Sequence, residues 1–157
     1  MEKIPWKIQK TNFTCGNAAF RNCLLTFGMN VSEERLRELM KTTKDGTDAD
    51  NICEAAKKLD LNYKLVSSSS KDVFGRKLLK ALKQDRPCIL LVEDTSHWVA
   101  AVSYKKRKIK IIDSELIFAQ NTIEKDFYLK EVLSWSMNFN KFTKETYFLL
   151  IEIWPKN

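Results

Sequence analysis

The chain carries, at residues 97–113, the sequence HWVAAVSYKKRKIKIID, which decides how its carboxy-terminal half folds. Two runs rich in Val, Ala, Ile and Tyr flank four consecutive basic residues at 105–108. This pattern is typical of two strands joined by a solvent-exposed turn. We therefore predict an antiparallel hairpin whose open end holds His97 and Asp113.

The length of the turn decides whether the side chains of His97 and Asp113 meet. A shift of one residue in an antiparallel pair moves a side chain to the other face of the sheet. An odd-length turn centred near Lys105 places both side chains on one face, whereas a two-residue turn places them on opposite faces. We expect the odd-length turn, with the carboxylate beside the imidazole, where it can hold the tautomer and stabilise the imidazolium.

His97 is the only histidine in the chain, which excludes a histidine-rich metal site. One imidazole and one thiol still suffice for cysteine nucleophilic catalysis, because the imidazole takes the thiol proton and later protonates the leaving group. Cys15 is the best-placed thiol, since it stands where a loop is expected to become a helix and a helix start favours the thiolate. The other cysteines have apolar neighbours and are interpreted as buried, reduced thiols: Cys23, Cys53 and Cys88.

The surroundings of the thiol complete the predicted site. Gln9, on the approach loop, can present its amide N–H where a tetrahedral oxyanion would form, with the backbone N–H of Cys15 as the second donor. We expect Gly16, Ser96 and Trp98 to line the substrate cleft, with the acyl part of the substrate extended beneath Trp98. Because the flanking loops have little glycine, their side chains crowd the cleft and favour small residues such as Gly or Ala beside the scissile carbonyl.

The composition indicates one globular domain and limits its partners. The chain has 157 residues, 44% of them hydrophobic, and 27 Lys and Arg against 20 Asp and Glu give a net charge of +7. Lysine and glutamate are interspersed, and the one concentrated basic run is interpreted as the exposed hairpin tip, so no nucleic acid partner is expected. The basic surface would suit an acidic peptide or protein substrate.

The chain has no predicted targeting segment, metal ion or cofactor. The first ten residues, MEKIPWKIQK, lack the apolar core of a signal peptide, and no apolar stretch approaches the roughly 18 residues of a membrane span. The four cysteines form no C-x-x-C pair and, with one histidine, make no zinc site of familiar spacing. We expect a cytoplasmic protein.

Hydrophobic spacing predicts a helical amino-terminal half on an antiparallel carboxy-terminal sheet, which is an α+β architecture. Helices are expected from Cys15 to a cap at Gly28, from Ser32, from Asp48 to Leu59 and at residues 73–83. Strands are expected at residues 61–66, 88–92, 97–104, 108–113 and 147–154, with a short helix containing Phe127 and Trp135 within 124–141. We predict one domain over residues 1–157, with a helical lobe at about 1–86 and a sheet lobe at about 87–157.

Several motifs, taken in order, resemble those of one peptidase family. They are Gln9, TCGNAAF at 14–20, PCILLV at 87–92, HWVAAV at 97–102 and IKIIDS at 109–114. In order and spacing they are similar to those of the double-glycine-leader peptidases, which are papain-like bacteriocin-processing cysteine peptidases often fused to peptide exporters. The resemblance implies a papain-like fold and an acyl-thioester on Cys15. It also implies that His97 is the general base and acid, Asp113 the orienting acid and Gln9 the oxyanion donor.

The chain departs from this family at two positions and leaves two other functions open. Thr14 stands where the family usually has Asp, and Ser114 stands where it usually has Pro, but neither change removes a catalytic group. A noncatalytic peptide-binding module would keep the same fold. A papain-like amidase, deamidase, transpeptidase or isopeptidase would use the same four residues.

Overall fold

The computed structural model describes residues 4–115 and 123–157, so the first three residues of the amino-terminal segment and residues 116–122 lie outside the description. The helices in these ranges are α1 (Cys15–Leu25), α2 (Glu33–Met40), α3 (Ala49–Lys58), α4 (Lys71–Lys83) and α5 (Leu129–Trp135). The strands are β1 (Leu61–Ser68), β2 (Cys88–Val92), β3 (His97–Lys105), β4 (Lys108–Ile112), β5 (Glu124–Tyr128), β6 (Asn138–Asn140) and β7 (Glu145–Pro155). None of these helices has the length and apolarity needed to span a bilayer.

The strands form an antiparallel sheet in the order β1-β7-β2-β3-β4-β5, and β6 pairs with β7 outside this path. β1 pairs with β7 along its whole length, from Leu61 opposite Pro155 to Ser68 opposite Phe148. The lobes predicted on either side of residue 86 therefore share one sheet. The α+β class with an antiparallel sheet, predicted from the sequence, is confirmed.

Helix starts and stops follow local signals in the sequence. The Ser32 side chain accepts a hydrogen bond from the Arg35 amide, and the Asp48 side chain accepts one from the Asn51 amide. These two contacts satisfy amides that have no intrahelical acceptor. Helix α1 ends at Leu25 with Thr26 as its cap, so Gly28, the predicted cap, lies in the turn that follows; it adopts a φ of 78°, a conformation that glycine accepts without steric cost.

Two hydrophobic cores lie on opposite faces of the sheet. The first packs α1, α2 and α3 against it, and the second packs α4 and α5 against the other face. Strand β2 is buried on both sides, so its residues alternate between the cores, with Ile89 and Leu91 in the first and Leu90 and Val92 in the second. The amino-terminal helices thus do not share one side, because α4 crosses to the face opposite α1.

The segment at 124–141 differs from the predicted single helix. It contains strand β5, helix α5 and strand β6, and Phe127 lies in the strand with its ring 5.7 Å from that of Trp135. β5 reads EKDFY and its two charged central residues are exposed, so it lacks the apolar alternation that would mark a half-buried strand. Pairing with β4, not local propensity, accounts for this element.

The β3–β4 hairpin has a two-residue turn, so the predicted odd-length turn is wrong. Lys105 pairs with Lys108, and the two residues between them, Lys106 and Arg107, have φ values of 53° and 65°. Positive φ at both positions is the backbone of the mirror-image turns that match strand twist in two-residue hairpins. Taken alone, this turn would place His97 on the opposite face from Asp113.

A β-bulge in β3 reverses the effect of the two-residue turn on the side-chain faces. The register shifts between Ala101 and Ser103, which leaves Val102 without its own partner in β4. One extra residue on one strand changes the parity of every pairing beyond it. The bulge therefore returns His97 and Asp113 to the same face of the sheet.

Candidate active site

His97 and Asp113 meet at the open end of the hairpin. His97 is the first residue of β3 and Asp113 directly follows β4, and the His97 Nε2 atom lies 2.8 Å from the Asp113 Oδ1 atom. The imidazole is buried, with 5% of its residue surface exposed. This contact occupies Nε2, so Nδ1 is the ring nitrogen left for a third group.

Cys15 supplies that third group from the first position of α1. Its side chain lies beside the imidazole of His97, near enough to contribute to the raised pKa of that histidine. The residue before it, Thr14, makes no side-chain cap, so the first amides of the helix lack the usual capping acceptor next to the thiol. The structure thus places the imidazole of His97 between Asp113, which it contacts, and the start of α1, where Cys15 lies.

The pKa of His97 reflects both its burial and its partners. Burial is the largest single influence and opposes the charged imidazolium. The hydrogen bonds to Asp113 and Cys15, with the charges on those two groups, act in the opposite direction and raise the pKa of His97 to about 10. The polar partners therefore outweigh burial and favour the imidazolium form over the neutral imidazole.

The other three thiols lie in environments that suppress ionisation. Burial raises the pKa of Cys23 and of Cys88 well above the ordinary value, and both side chains are fully buried. Burial and the nearby charges of Asp50 and Glu54 raise the pKa of Cys53 to about 11. All four cysteines are free thiols.

Gln9 is held beside the end of β4 by the residue that follows Asp113. Its Oε1 accepts a hydrogen bond from the Ser114 hydroxyl at 3.2 Å, and its backbone amide donates to the Ser114 carbonyl at 2.9 Å. Its Nε2 donates to the Thr11 carbonyl at 2.7 Å, and the amide group carries a second N–H. Gln9 and Ser114 are both buried, which fixes the direction of this amide.

Gly16 and Trp98, two of the predicted cleft residues, pack against each other. A Cβ atom at Gly16 would lie 3.2 Å from the Trp98 Cδ1 atom and 3.4 Å from the Thr47 Cβ atom. The Trp98 indole is 7% exposed and donates to the Thr47 carbonyl at 3.0 Å. Ser96, the third predicted residue, is exposed, and its hydroxyl donates to the Glu93 carbonyl at 2.7 Å.

Glu115 is an acidic group near the imidazole that the sequence did not single out. Its Oε2 atom lies 3.9 Å from His97 Nε2, and its backbone amide donates to Asp113 Oδ1 at 3.1 Å. Burial raises the pKa of Glu115, against the opposing charge of His97. Side-chain atoms of these three residues lie within 4.8 Å of one another, a donor set that can hold a metal ion. The short bond on Nε2 favours an ion pair here, since a metal on that nitrogen would break it.

Comparison with known proteins places the chain in a family. The sequence profile of the peptidase C39 family matches residues 3–151. The chain belongs to the peptidase C39 family. It is therefore a cysteine peptidase, and the resemblance stated from its motifs is confirmed.

Solved structures of peptidase domains share the fold. The peptidase domain of Streptococcus ComA, a bi-functional ABC transporter involved in quorum sensing, superposes with a TM-score of 0.68 at 24% identity, covering 96% of this chain and 97% of that domain. A double glycine motif protease from an AMS/PCAT transporter, solved with the leader peptide, gives a TM-score of 0.65 at 21% identity, covering 98% and 93%. The papain-like fold is thereby confirmed.

One curated protein is also similar in sequence. An uncharacterized protein of Methanothermobacter thermautotrophicus is 26% identical over 109 residues, which cover 69% of this chain and 70% of that protein.

Proposed function

We propose that this C39 peptidase cleaves its substrate with Cys15 as nucleophile, His97 as general base and acid, and Asp113 as the group that orients the imidazole. The observation that carries this assignment is the position of His97, which contacts Asp113 through Nε2 at 2.8 Å and lies beside Cys15 at the start of α1. An activated nucleophile is recognised by a base next to it and by a third group that orients the base.

In the first step His97 takes the proton of the Cys15 thiol as general base. The Cys15 thiolate attacks the scissile carbonyl and forms a tetrahedral oxyanion. The His97 imidazolium then gives its proton to the leaving amine, which departs and leaves an acyl-thioester on Cys15. The neutral imidazole next takes a proton from water, whose hydroxide attacks the thioester and releases the carboxylic acid product and the thiol group.

The oxyanion is stabilised by donors that are in place before substrate binds. In this proposal the Cys15 backbone N–H and the second N–H of the Gln9 amide point to the developing charge. Support comes from the two contacts that hold the amide: the Ser114 hydroxyl donates to Gln9 Oε1, and one N–H of Nε2 donates to the Thr11 carbonyl, which leaves the second N–H for the oxyanion. A serine can make this contact, whereas a proline at the same position has no side-chain donor.

We propose a substrate that binds in an extended form and carries Gly or Ala before the scissile bond. In this proposal the Trp98 ring, packed on Gly16, would form one wall of the substrate cleft, and the 93–96 loop beside His97 contains no glycine. The net charge of +7 favours an acidic peptide. The similar double glycine motif protease supports a Gly-Gly junction in the substrate.

We place the reaction in the cytoplasm, because all four cysteines are free and the proposed nucleophile must stay reduced.

A peptide library tests the proposal. Acidic peptides that differ only in Gly, Ala, Leu or Phe before the scissile bond are incubated with the wild-type protein and with Cys15→Ser, at low and high salt. We expect cleavage after Gly and Ala by the wild type alone, with a rate that falls as salt rises. Cleavage by Cys15→Ser rejects the nucleophile, preference for Leu or Phe rejects the steric argument, and a salt-independent rate rejects the electrostatic one.

A further inference from the structure

The loop that leads into His97 has an unfavourable backbone. It joins β2 to β3, and three consecutive residues in it, Glu93, Asp94 and Thr95, have φ values of 53°, 50° and 72°. Residues other than glycine rarely adopt this left-handed conformation, and a β-branched residue such as threonine does so least readily. Such a backbone persists only where surrounding contacts hold it.

Asn138 provides the main contacts that hold this loop. Its side chain is buried, with 1% of the residue surface exposed. Its Oδ1 accepts a hydrogen bond from the Thr95 amide at 2.7 Å, and its Nδ2 donates to the Leu91 carbonyl at 3.3 Å and the Ser136 carbonyl at 3.1 Å. One amide group therefore bridges both ends of the loop and ties them to the chain after α5.

Two further bonds connect the same segments. The Glu93 amide donates to the carbonyl of Trp135, the last residue of α5, at 3.1 Å. The Asp94 carboxylate accepts from the Phe139 amide at 2.9 Å. The loop before His97 is thus fastened at three successive residues to the segment at 135–139, and Asn138 is the only buried side chain among these links in the described structure.

We propose that Asn138 is a positioning residue, which holds the β2–β3 loop in its left-handed form and so sets the imidazole of His97 against Asp113. It acts through the loop, since the hydrogen bonds of its side chain go to the backbone of Thr95, Leu91 and Ser136. The inference rests on the proposed function for its effect on turnover, but its effect on the imidazole is independent of substrate. Small displacements of a catalytic group lower reaction rates about 100-fold in well-ordered sites, so Asn138 can affect turnover without contacting the reacting atoms.

The single histidine makes the test specific. The Cε1 proton of His97 can be followed by NMR between pH 5 and pH 11, because no other imidazole contributes. The variant is Asn138→Ala and the matched control is Asn140→Ala. Asn140 lies on the same strand, and its side chain accepts from the amides of Phe142 and Thr143 within its own hairpin.

We expect the His97 midpoint to move toward its ordinary value by about one pH unit or more in Asn138→Ala, while Asn140→Ala titrates like the wild type. We also expect kcat to fall about 10- to 100-fold with little change in KM. Adding Thr95→Gly to Asn138→Ala should partly restore both the His97 midpoint and kcat, because glycine adopts the left-handed conformation freely.

The inference is overturned if folded Asn138→Ala titrates like the wild type, or if Asn140→Ala shifts the His97 midpoint equally. If Asn138→Ala does not fold, Asp94→Ala replaces it, because Asp94 is exposed and its substitution removes the link to Phe139. That variant should shift the midpoint in the same direction by a smaller amount, and an unchanged midpoint again overturns the inference. If the wild type cleaves no peptide, the proposed function fails while the titration still decides the role of Asn138.

Discussion

The carboxylate of Asp113 lies 2.8 Å from Nε2 of His97, and one bulged residue, Val102, makes this contact geometrically possible. The two side chains come from adjacent strands whose tight turn would otherwise direct them to opposite faces. Because the imidazole is buried, this contact also controls its charge.

The first prediction concerns the pH dependence of stability. The pKa of His97 is raised from about 6.5 to about 10 by folding, despite the opposing effect of burial. Protonated His97 therefore contributes stability that is fully present below pH 6.5 and is lost as the pH rises through about 10. We expect the wild-type free energy of unfolding in urea to fall more between pH 6 and pH 10.5 than that of Asp113→Asn.

The control for this comparison is Asp45→Asn, which removes the same charge from an exposed loop carboxylate. It should keep the wild-type pH profile. Parallel profiles for wild type and Asp113→Asn would show that Asp113 does not stabilise the imidazolium.

The second prediction concerns thiol reactivity. A brief exposure to iodoacetamide at pH 7 should modify Cys15 before the other cysteines, because the thiolate is the form that reacts. Cys53 is the most exposed of the other three, and burial with two acidic neighbours raises its pKa to about 11. Peptide mapping by mass spectrometry gives the rate for each thiol. His97→Ala should slow the modification of Cys15 and leave that of Cys53 unchanged. Equal rates for Cys15 and Cys53 would contradict the activated thiol.

The third prediction concerns the amide of Gln9. Gln9→Ala should cost about 2 to 4 kcal/mol of transition-state stabilisation, as expected for the loss of one oxyanion donor. Ser114→Ala leaves the amide in place but removes the hydroxyl that orients it, so kcat should fall less than in Gln9→Ala. In the double variant the Ser114 substitution should lower kcat little further than Gln9→Ala alone, because Ser114 acts through Gln9. Additive losses in kcat would assign Ser114 a separate role.

The fourth prediction concerns the packing of Gly16 under Trp98. Gly16→Ala places a Cβ atom 3.2 Å from the indole, so the ring must move, and we expect a loss of about 1 to 3 kcal/mol of stability with lower kcat/KM. The control is Gly75→Ala in α4, where the nearest atom would be 3.6 Å away. That change should stabilise the protein by about 0.5 to 1 kcal/mol, as alanine does within a helix. Denaturant unfolding measures the stability of both variants, and peptide cleavage measures their activity. Unaltered activity in Gly16→Ala would exclude a role in catalysis for the contact between Gly16 and Trp98.

The features that the sequence predicted correctly are those with local signals. Ser32 and Asp48 cap helices because their side chains reach amides three residues later, and that spacing is visible in the sequence. The strand that begins at His97 is marked by a run of apolar residues bounded by a polar loop. Cys15 and His97 were singled out because a thiol before a helix and a lone histidine at a strand start are rarely found together, and their catalytic roles stay a prediction.

The features that the sequence did not reveal depend on contacts between distant segments. Lys106 and Arg107 lack the Asn-Gly signature of a tight hairpin, and nothing in the sequence near Val102 marks a bulge. The turn length was therefore mispredicted. The contact between His97 and the Asp113 carboxylate was nevertheless expected. Asn138 bonds to residues more than 40 positions away, which no periodicity records. The boundary between the two predicted lobes stays a prediction.

The central claim is that Cys15 carries the acyl group, and intact-protein mass spectrometry tests it most directly. A peptide ester ending in Gly-Gly is mixed with the protein, the reaction is quenched in acid within its first turnover, and the adduct is located by peptide mapping. The account predicts a mass increase equal to the acyl part of the peptide on Cys15, and no adduct in Cys15→Ser. Turnover that leaves no adduct on Cys15 but acylates another residue would contradict it.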